Sequence, residues 1–381
     1  MIFSVSKRDL ESALKVVSHT VAMGGSDISS HYLFRQTAAG SRTLEILAYN
    51  GRVFASCPIV AAFEEEGKSF TVEAKRVHYL LGAVADDAVL RVSSTGVGEA
   101  TISTGKGKNI FASLDPDLFP YWDEVLASAQ KTATISAERL NMALTHSKTF
   151  IYDQESKAPH LCVAEFRKGC LYATDQMAVS IVKVMGMEES TIRIFGKDCG
   201  AVTAFLSTFK DADVEVWEDD RALFLKRGDG AVFGESRFAS RFPDIAVDWS
   251  IEDDHWVDLP KTEIANAVKF LASGARWEDT LLRMVVGGNG SVTLSMNAAN
   301  GKPISLEVRA IAQGSRSDDV PTLPEDGFPI SNVYVSNLLE HYSGDTIRFG
   351  ISKKGKGGWI RVKDERDKDT YLTTVAWLKT S

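Results

Sequence analysis

Cysteine is scarce and scattered: the four residues Cys57, Cys162, Cys170 and Cys199 include no CxxC pair. That argues against a zinc site, suits a reducing compartment and leaves buried free thiols as the plain reading. Long apolar runs are missing too, since none nears the ~20 residues a membrane helix requires. Met1 leads straight into strand-like Ile2-Phe3-Ser4-Val5, so neither a signal segment nor a membrane span is expected. Positive charge is not in excess: 43 basic residues against 51 acidic ones give a net −8. Taken whole, that balance disfavours a polyanion partner.

Catalytic motifs are also lacking. Gly67-Lys68-Ser69 ends like a phosphate loop, but Ala62 stands where that motif needs glycine, and a strand follows where it needs a helix. Gly355-Lys356-Gly357-Gly358 has no dinucleotide spacing and reads as a hairpin tip. Asp211 with Asp213, and Asp115 with Asp117, abut turns or strand starts, where solvated acids are ordinary. His19, His31, His78, His146, His160, His255 and His341 form no HExxH pattern, and no serine lies in GxSxG. Absence of motifs does not exclude an enzyme, but six similar units suggest a scaffold, and neither a metal nor a cofactor is expected.

What the chain has is repetition. Its 381 residues, 44% apolar and 25% charged, suit two or three globular domains. Six short strands, ending at Val5, Val72, Ile135, Ile194, Leu259 and Ile330, each lead into a helix start. Counting 5, 8, 9 and 12 residues onward from each anchor meets apolar side chains everywhere except Ser147 and Thr203. Those offsets lie on one face of an α-helix. Ser6 and Ser136 stand at N-cap positions, Asp9 completes a capping-box-like pattern with Ser6, and Pro260 fits a first turn. Three strand-like runs follow each helix, separated by hairpin residues such as Asn50-Gly51 and Gly228-Asp229-Gly230. The unit is β-α-β-β-β, repeated at intervals of 67, 63, 59, 65 and 71 residues. One unit buries too little alone, so pairs are expected to form three similar α+β domains over residues 1–130, 131–252 and 253–381.

Charge sorts by position. The helices expected over 7–20, 73–84, 137–149, 196–210, 261–274 and 336–344 carry 11 basic and 7 acidic residues, leaving 32 against 44 elsewhere. The basic ones are Lys7, Arg8, Lys15, Lys75, Arg76, Arg139, Lys148, Lys197, Lys210, Lys261 and Lys269. A mildly basic helical surface on an acidic chain suggests local contact with a polyanion and repulsion elsewhere.

This arrangement resembles the bacterial sliding clamp family, the β subunit of DNA polymerase III, over essentially the whole chain. Asn109-Ile110-Phe111-Ala112-Ser113-Leu114-Asp115-Pro116-Asp117-Leu118-Phe119-Pro120 is similar to the family's end-of-domain strand and Phe-Pro turn. Ser236-Arg237-Phe238-Ala239-Ser240-Arg241-Phe242-Pro243-Asp244 repeats it, and Leu171-Tyr172-Ala173-Thr174-Asp175 matches the family's Ala-Thr-Asp strand end. Three segments depart. Gln176-Met177-Ala178-Val179 replaces the usual Gly-His-Arg-Leu, Gly24-Gly25-Ser26 lacks the arginine often found after two glycines, and Thr374-Val375-Ala376-Trp377-Leu378 replaces a Met-Pro-Met run. Such divergence suits a bacteriophage-encoded clamp or one from a distant bacterium.

The resemblance implies a clamp fold that forms a ring: a head-to-tail homodimer with helices lining a hole and sheets outside. It implies a processivity factor, cytoplasmic and nucleoid-associated, that encircles duplex DNA without reading sequence. Its partners would be the replicative polymerase and a clamp loader, with no membrane, cofactor or catalysis. Gln154 and Lys157 match a DNA-touching loop and join the helix basics as expected DNA-facing residues. A client-peptide groove is implied at Leu161, Thr174, Asp175, Val179, Pro243, Val247, Leu372, Val375 and Trp377. Two rivals stand beside this reading: a clamp-like scaffold that recruits proteins without encircling DNA, and an unrecognised enzyme on repeated α+β domains.

Overall fold

A computed structural model describes every residue except 23–26, 106, 121, 210, 246–254, 276–280, 288–289, 316–326, 355–356, 367–368 and 377–381. Six β-α-β-β-β units succeed one another. The first is β1 (Ile2–Ser6), α1 (Lys7–Val17), β2 (His31–Gln36), β3 (Thr43–Tyr49) and β4 (Val53–Val60). An extra strand, β5 (Ala62–Glu65), precedes the second: β6 (Phe70–Glu73), α2 (Ala74–Gly82), β7 (Val89–Ser94), β8 (Gly98–Thr104) and β9 (Gly107–Ser113). A short helix α3 (Asp123–Ser128) links to the third: β10 (Gln130–Ser136), α4 (Ala137–Lys148), β11 (Val163–Arg167), β12 (Cys170–Thr174) and β13 (Ala178–Lys183). The fourth is β14 (Arg193–Phe195), α5 (Cys199–Ser207), β15 (Asp213–Glu218), β16 (Ala222–Arg227) and β17 (Val232–Ser236). The fifth is β18 (His255–Pro260), α6 (Lys261–Gly274), β19 (Leu281–Val286), β20 (Ser291–Asn297) and β21 (Pro303–Arg309), with β22 (Ala312–Ser315) added. The sixth is β23 (Phe328–Ser331), α7 (Asn332–His341), β24 (Thr346–Lys354), β25 (Gly357–Arg366) and β26 (Asp369–Ala376).

The repeated apolar positions are the reason. On the six helices all are buried except Leu80, Val84, Thr203 and Tyr342, which are half-buried. Each fully buried leucine or valine contributes about 1.5–3 kcal/mol. Ser147, which breaks the pattern, is buried as well, with its hydroxyl 3.5 Å from that of Ser180. Ser6 caps α1 as expected, accepting from the Asp9 amide at 3.0 Å and donating to the Asp9 carboxylate at 2.6 Å. Pro260 sits one place earlier than expected, at the N-cap of α6. Helix α5 is shorter than the expected 196–210, because Phe195 to Asp198 close a turn first, with the Asp198 amide donating to the Phe195 carbonyl at 2.9 Å. Helix α7 runs four residues ahead of the expected 336–344 at its start and ends at His341.

By contact the chain divides into two compact units, Met1–Met142 with Glu189–Ala239, and Ala143–Glu188 with Ser240–Ser381. In the first, one sheet runs β5-β1-β7-β8-β9 and another β10-β15-β16-β17-β4-β3-β2-β6. In the second, strands run β11-β12-β13-β26-β25-β24-β18-β22, beside a four-stranded sheet β21-β20-β19-β23. Each long sheet is thus made continuous by pairing the last strand of one repeat with the last strand of another: β4 with β17, and β13 with β26. All four cysteines are buried and none is in a disulfide.

Candidate peptide groove and nucleic-acid interface

The Ala-Thr-Asp segment ends β12 in a tight turn into β13. Asp175 builds that turn: one carboxylate oxygen accepts from the amides of Met177 at 3.0 Å and Ala178 at 2.9 Å. Its other oxygen accepts from the Tyr334 hydroxyl on α7. Burial, followed by the neighbouring Asp175 carboxylate, pushes the Tyr334 phenol far above its ordinary range. Thr174 donates to the Ala178 carbonyl at 2.7 Å. Gln176 takes a left-handed conformation, φ 81°, that a side chain seldom adopts. Asp175 and Thr174 therefore shape the site through the backbone, with Asp175's oxygens already engaged.

Strand parity then sorts the rest. Val179 stands opposite Thr174 and Thr374, and Ile181 stands opposite Tyr172 and Leu372. Directly opposed residues of an antiparallel pair share a face. Tyr172, Thr174, Val179, Ile181, Leu372 and Thr374 accordingly share one face. The other face meets α4, where His146 Nε2 lies 3.0 Å from Thr373 Oγ1. Val179, Thr374 and Tyr172 are half-buried, whereas Leu372 is buried. Val375 corrects the expected groove: it opposes Ala178 and Ile360, on the α4 side, where Ile360 belongs to the apolar core under α6 and α7. Thr374 takes its place on the outer face.

Across the β11–β12 end of that face the Phe-Pro turn is tied down by an ion pair. Asp244 lies 3.3 Å from the Arg167 guanidinium, which in turn lies 5.2 Å over the Tyr172 ring. Phe242 is buried and Pro243 half-buried. Leu161, 4% exposed, ends a short 3-10 turn and accepts from the Tyr152 amide at 3.1 Å, so its place is set by that turn. Val247 and Trp377 lie outside the described residues. Tyr172, Thr374 and Arg167 were missed, although the spacing of the β12–β13 hairpin carries the alternation that finds the first.

The basic residues divide as sharply. Arg8, Lys15, Lys75, Arg76 and Lys197 are exposed in the first unit, and Lys148, Gln154, Lys157 and Lys269 in the second. Arg76 is paired with Glu73 at 2.7 Å, and Arg139 is half-buried. Lys7 is a correction. It is 5% exposed, and its ammonium donates to the Val84 carbonyl at 2.8 Å and to Asp86 at 2.7 Å, with Glu11 3.4 Å away. A lysine so committed has no donor to offer a phosphate. Lys261 is half-buried and donates to the Tyr342 carbonyl just past the end of α7. Lys210 lies outside the described residues.

By sequence the chain matches no protein-family model, and no curated protein resembles it significantly. Solved structures resemble it along its whole length. The DNA polymerase III subunit beta from Pseudomonas aeruginosa aligns with a TM-score of 0.83 at 16% identity, covering 100% of both chains. The DNA polymerase sliding clamp from Bacillus subtilis gives 0.83 at 14%, again over 100% of each. The sliding clamp from Bartonella birtlesii, solved bound to griselimycin, gives 0.82 at 16% with the same coverage. The fold of this chain is the sliding-clamp fold.

Proposed function

We propose that this chain with the sliding-clamp fold is a DNA polymerase processivity factor: a head-to-tail homodimeric ring that encircles duplex DNA and tethers the replicative polymerase. One observation carries the reading. Among the described residues the first, third and fifth repeats each end in a strand preceded by an Asx turn, and Asp229 makes such a turn before β17 in the fourth. Asn50 accepts from the amides of Arg52 and Val53, Asp175 does so from those of Met177 and Ala178, and Asn300 accepts from the amide of Lys302. The strands that follow are β4, β13 and β21. The first two are covered along their outer edges by β17 and β26, whereas β21 is the last strand of its sheet. Among the described residues β9, the third end-of-domain strand, is likewise last in its sheet. Two of three equivalent pairings are thus made within the chain, and among the described residues the two strands of the third each end their sheet.

An open edge is a template for another strand. Apolar side chains lie beside both: Ile110 on β9 is 55% exposed, and Phe270 on α6, which packs against β21, is 61% exposed. Pairing β9 of one copy with β21 of the next is a heterologous contact, and such contacts close into rings when the rotation allows. Three domains per chain, over 1–130, 131–252 and 253–381, make two copies six domains. Arg8, Lys15, Lys75, Arg76, Lys148, Lys157, Lys197 and Lys269 then supply weak phosphate contacts that permit sliding. Clients dock on the outer face around Val179, Pro243, Leu372 and Thr374, with Val247 and Trp377 completing the groove. Tethering makes polymerase re-binding intramolecular. The ring catalyses nothing, holds no cofactor, works in the cytoplasm, and needs a loader to open it.

Light scattering should give about twice 41.6 kDa. Once loaded on a nicked circle, the protein should resist salt that strips it from short open duplex, and linearising the circle should release it. A stable monomer or trimer, or retention on the linearised DNA, overturns the ring.

A further inference from the structure

The Asx turn that leads into β13 and its groove has a counterpart in the first unit, and there the slot is occupied. Asn50, Gly51, Arg52, Val53 and Phe54 take the places of Asp175, Gln176, Met177, Ala178 and Val179. The same side-chain oxygen accepts the same two amides, and the second residue has the same sign of φ, 102° at Gly51. Phe54 is therefore the structural partner of Val179, and Gly234, opposite Phe54 on β17, is the partner of Thr374. Val179 is half-exposed. Phe54 is 3% exposed, because Trp122 stacks on it at 4.7 Å between centroids and meets Phe224 edge-on at 6.2 Å. Gly234 makes the arrangement possible, since a Cβ there would stand 2.0 Å from the Phe54 ring.

The occupant has the character of a docked peptide. Trp122 follows the Phe119-Pro120 turn and opens α3, whose Val125 and Leu126 rest half-buried on the same cluster. No residue of α3 itself is fully buried. Polar clasps on the surface hold it: Asp123 accepts from Arg35 at 2.6 and 3.2 Å, and Ser128 donates to Asp219 at 2.7 Å. Among the described residues the buried Trp122 indole N–H finds no acceptor, which leaves the plug short of its best fit. In the second unit the residue at the same sequence distance after its own Phe-Pro turn is Ile245.

We propose that the Phe54–Phe224 slot is a second docking site for aromatic-anchored peptides, held closed by the chain's own Trp122 and α3. The inference rests on the proposed groove at Val179 only for the name of what is duplicated. The slot, its floor and its occupant stand independently of DNA or polymerase. A tethered segment competes at an effective concentration that a free peptide must exceed, so the intact chain excludes others.

The test uses the full chain and a labelled peptide of its own residues 119–129. Trp122→Ala should bind that peptide at least about tenfold more tightly than the unaltered chain, as expected when an aromatic anchor is restored to its pocket. A peptide with alanine for tryptophan should lose the gain, as should adding Phe54→Ala. Asp123→Ala, which frees α3 from Arg35 and leaves the slot intact, should give an intermediate gain and keeps the test open if Trp122→Ala fails to fold. Equal binding to the variants and the unaltered chain, or no binding to folded variants, overturns the proposal. Neither result bears on ring formation or on retention on circular DNA.

Discussion

Acid should loosen the second unit through His146. The imidazole projects from α4 beneath β26, 3% exposed, with Nε2 on the Thr373 hydroxyl and Nδ1 without a partner. Burial, then the positive charges of Arg366 and His341, hold its pKa down to about 3 against an ordinary 6.5, while Asp364 pulls weakly upward. The unfolded chain therefore takes the proton first. The neutral imidazole's contribution is complete above pH 6.5 and is lost as pH falls from there toward 3. Linkage puts the loss at about 2 kcal/mol by pH 5, with a ceiling of about 5 kcal/mol below pH 3. His146→Gln keeps a side chain able to bond Thr373 but cannot take the proton. Urea unfolding of both proteins at pH 7.5 and pH 5.0 isolates the effect, because shared carboxylates cancel in the difference. The gap between them should move by about 2 kcal/mol in favour of the variant at the lower pH. Parallel losses, or an NMR signal of His146 that titrates between pH 7 and 5, refute the argument.

Glu235 should act in the opposite sense. It is 1% exposed, one oxygen accepts from the Phe195 amide at 2.8 Å, the other has no partner, and burial raises its pKa well above 4.5. Its folded state holds the proton more tightly, so stability falls as pH rises past the ordinary carboxyl value. Glu235→Gln should raise the melting temperature at pH 8 and flatten its decline from pH 5; an equal drop at every pH counts against this. On the outer face, Val179→Asp should abolish client-peptide binding with an unchanged melting temperature. Trp377→Ala should cost about 2 kcal/mol, roughly thirtyfold in affinity. The buried Leu140→Ala should instead destabilise by about 2–5 kcal/mol, and calorimetry beside peptide titration separates the cases. Ile110→Lys, at the open edge of β9, should shift light scattering toward monomer without unfolding the chain.

What could be read in advance follows from how far each interaction reaches along the chain. Helix faces are set by residues three and four apart, so the repeated apolar offsets mark all six helices in their first turns, with the starts of α5 and α7 displaced by three and four residues from those expected. Even Ser147, an apparent break, proves buried once Ser180 is across from it. The turn at Asp175 is equally local, because its carboxylate bonds amides two and three residues on, and it sets Val179 opposite Thr174 across the hairpin. Lys7 is different. Its partner Asp86 is 79 residues away, and no spacing distinguishes a buried ammonium from an exposed one. Strand β26 suffers most. It reaches β13 across about 190 residues, with no turn between them to set a register, and side chains alternate with period two. A slip of one residue exchanges Thr374 for Val375 and carries the expected groove wall through the sheet. Residues anchored by a local turn have their face fixed by nearby sequence, whereas residues placed only by long-range pairing are open to error by a single step.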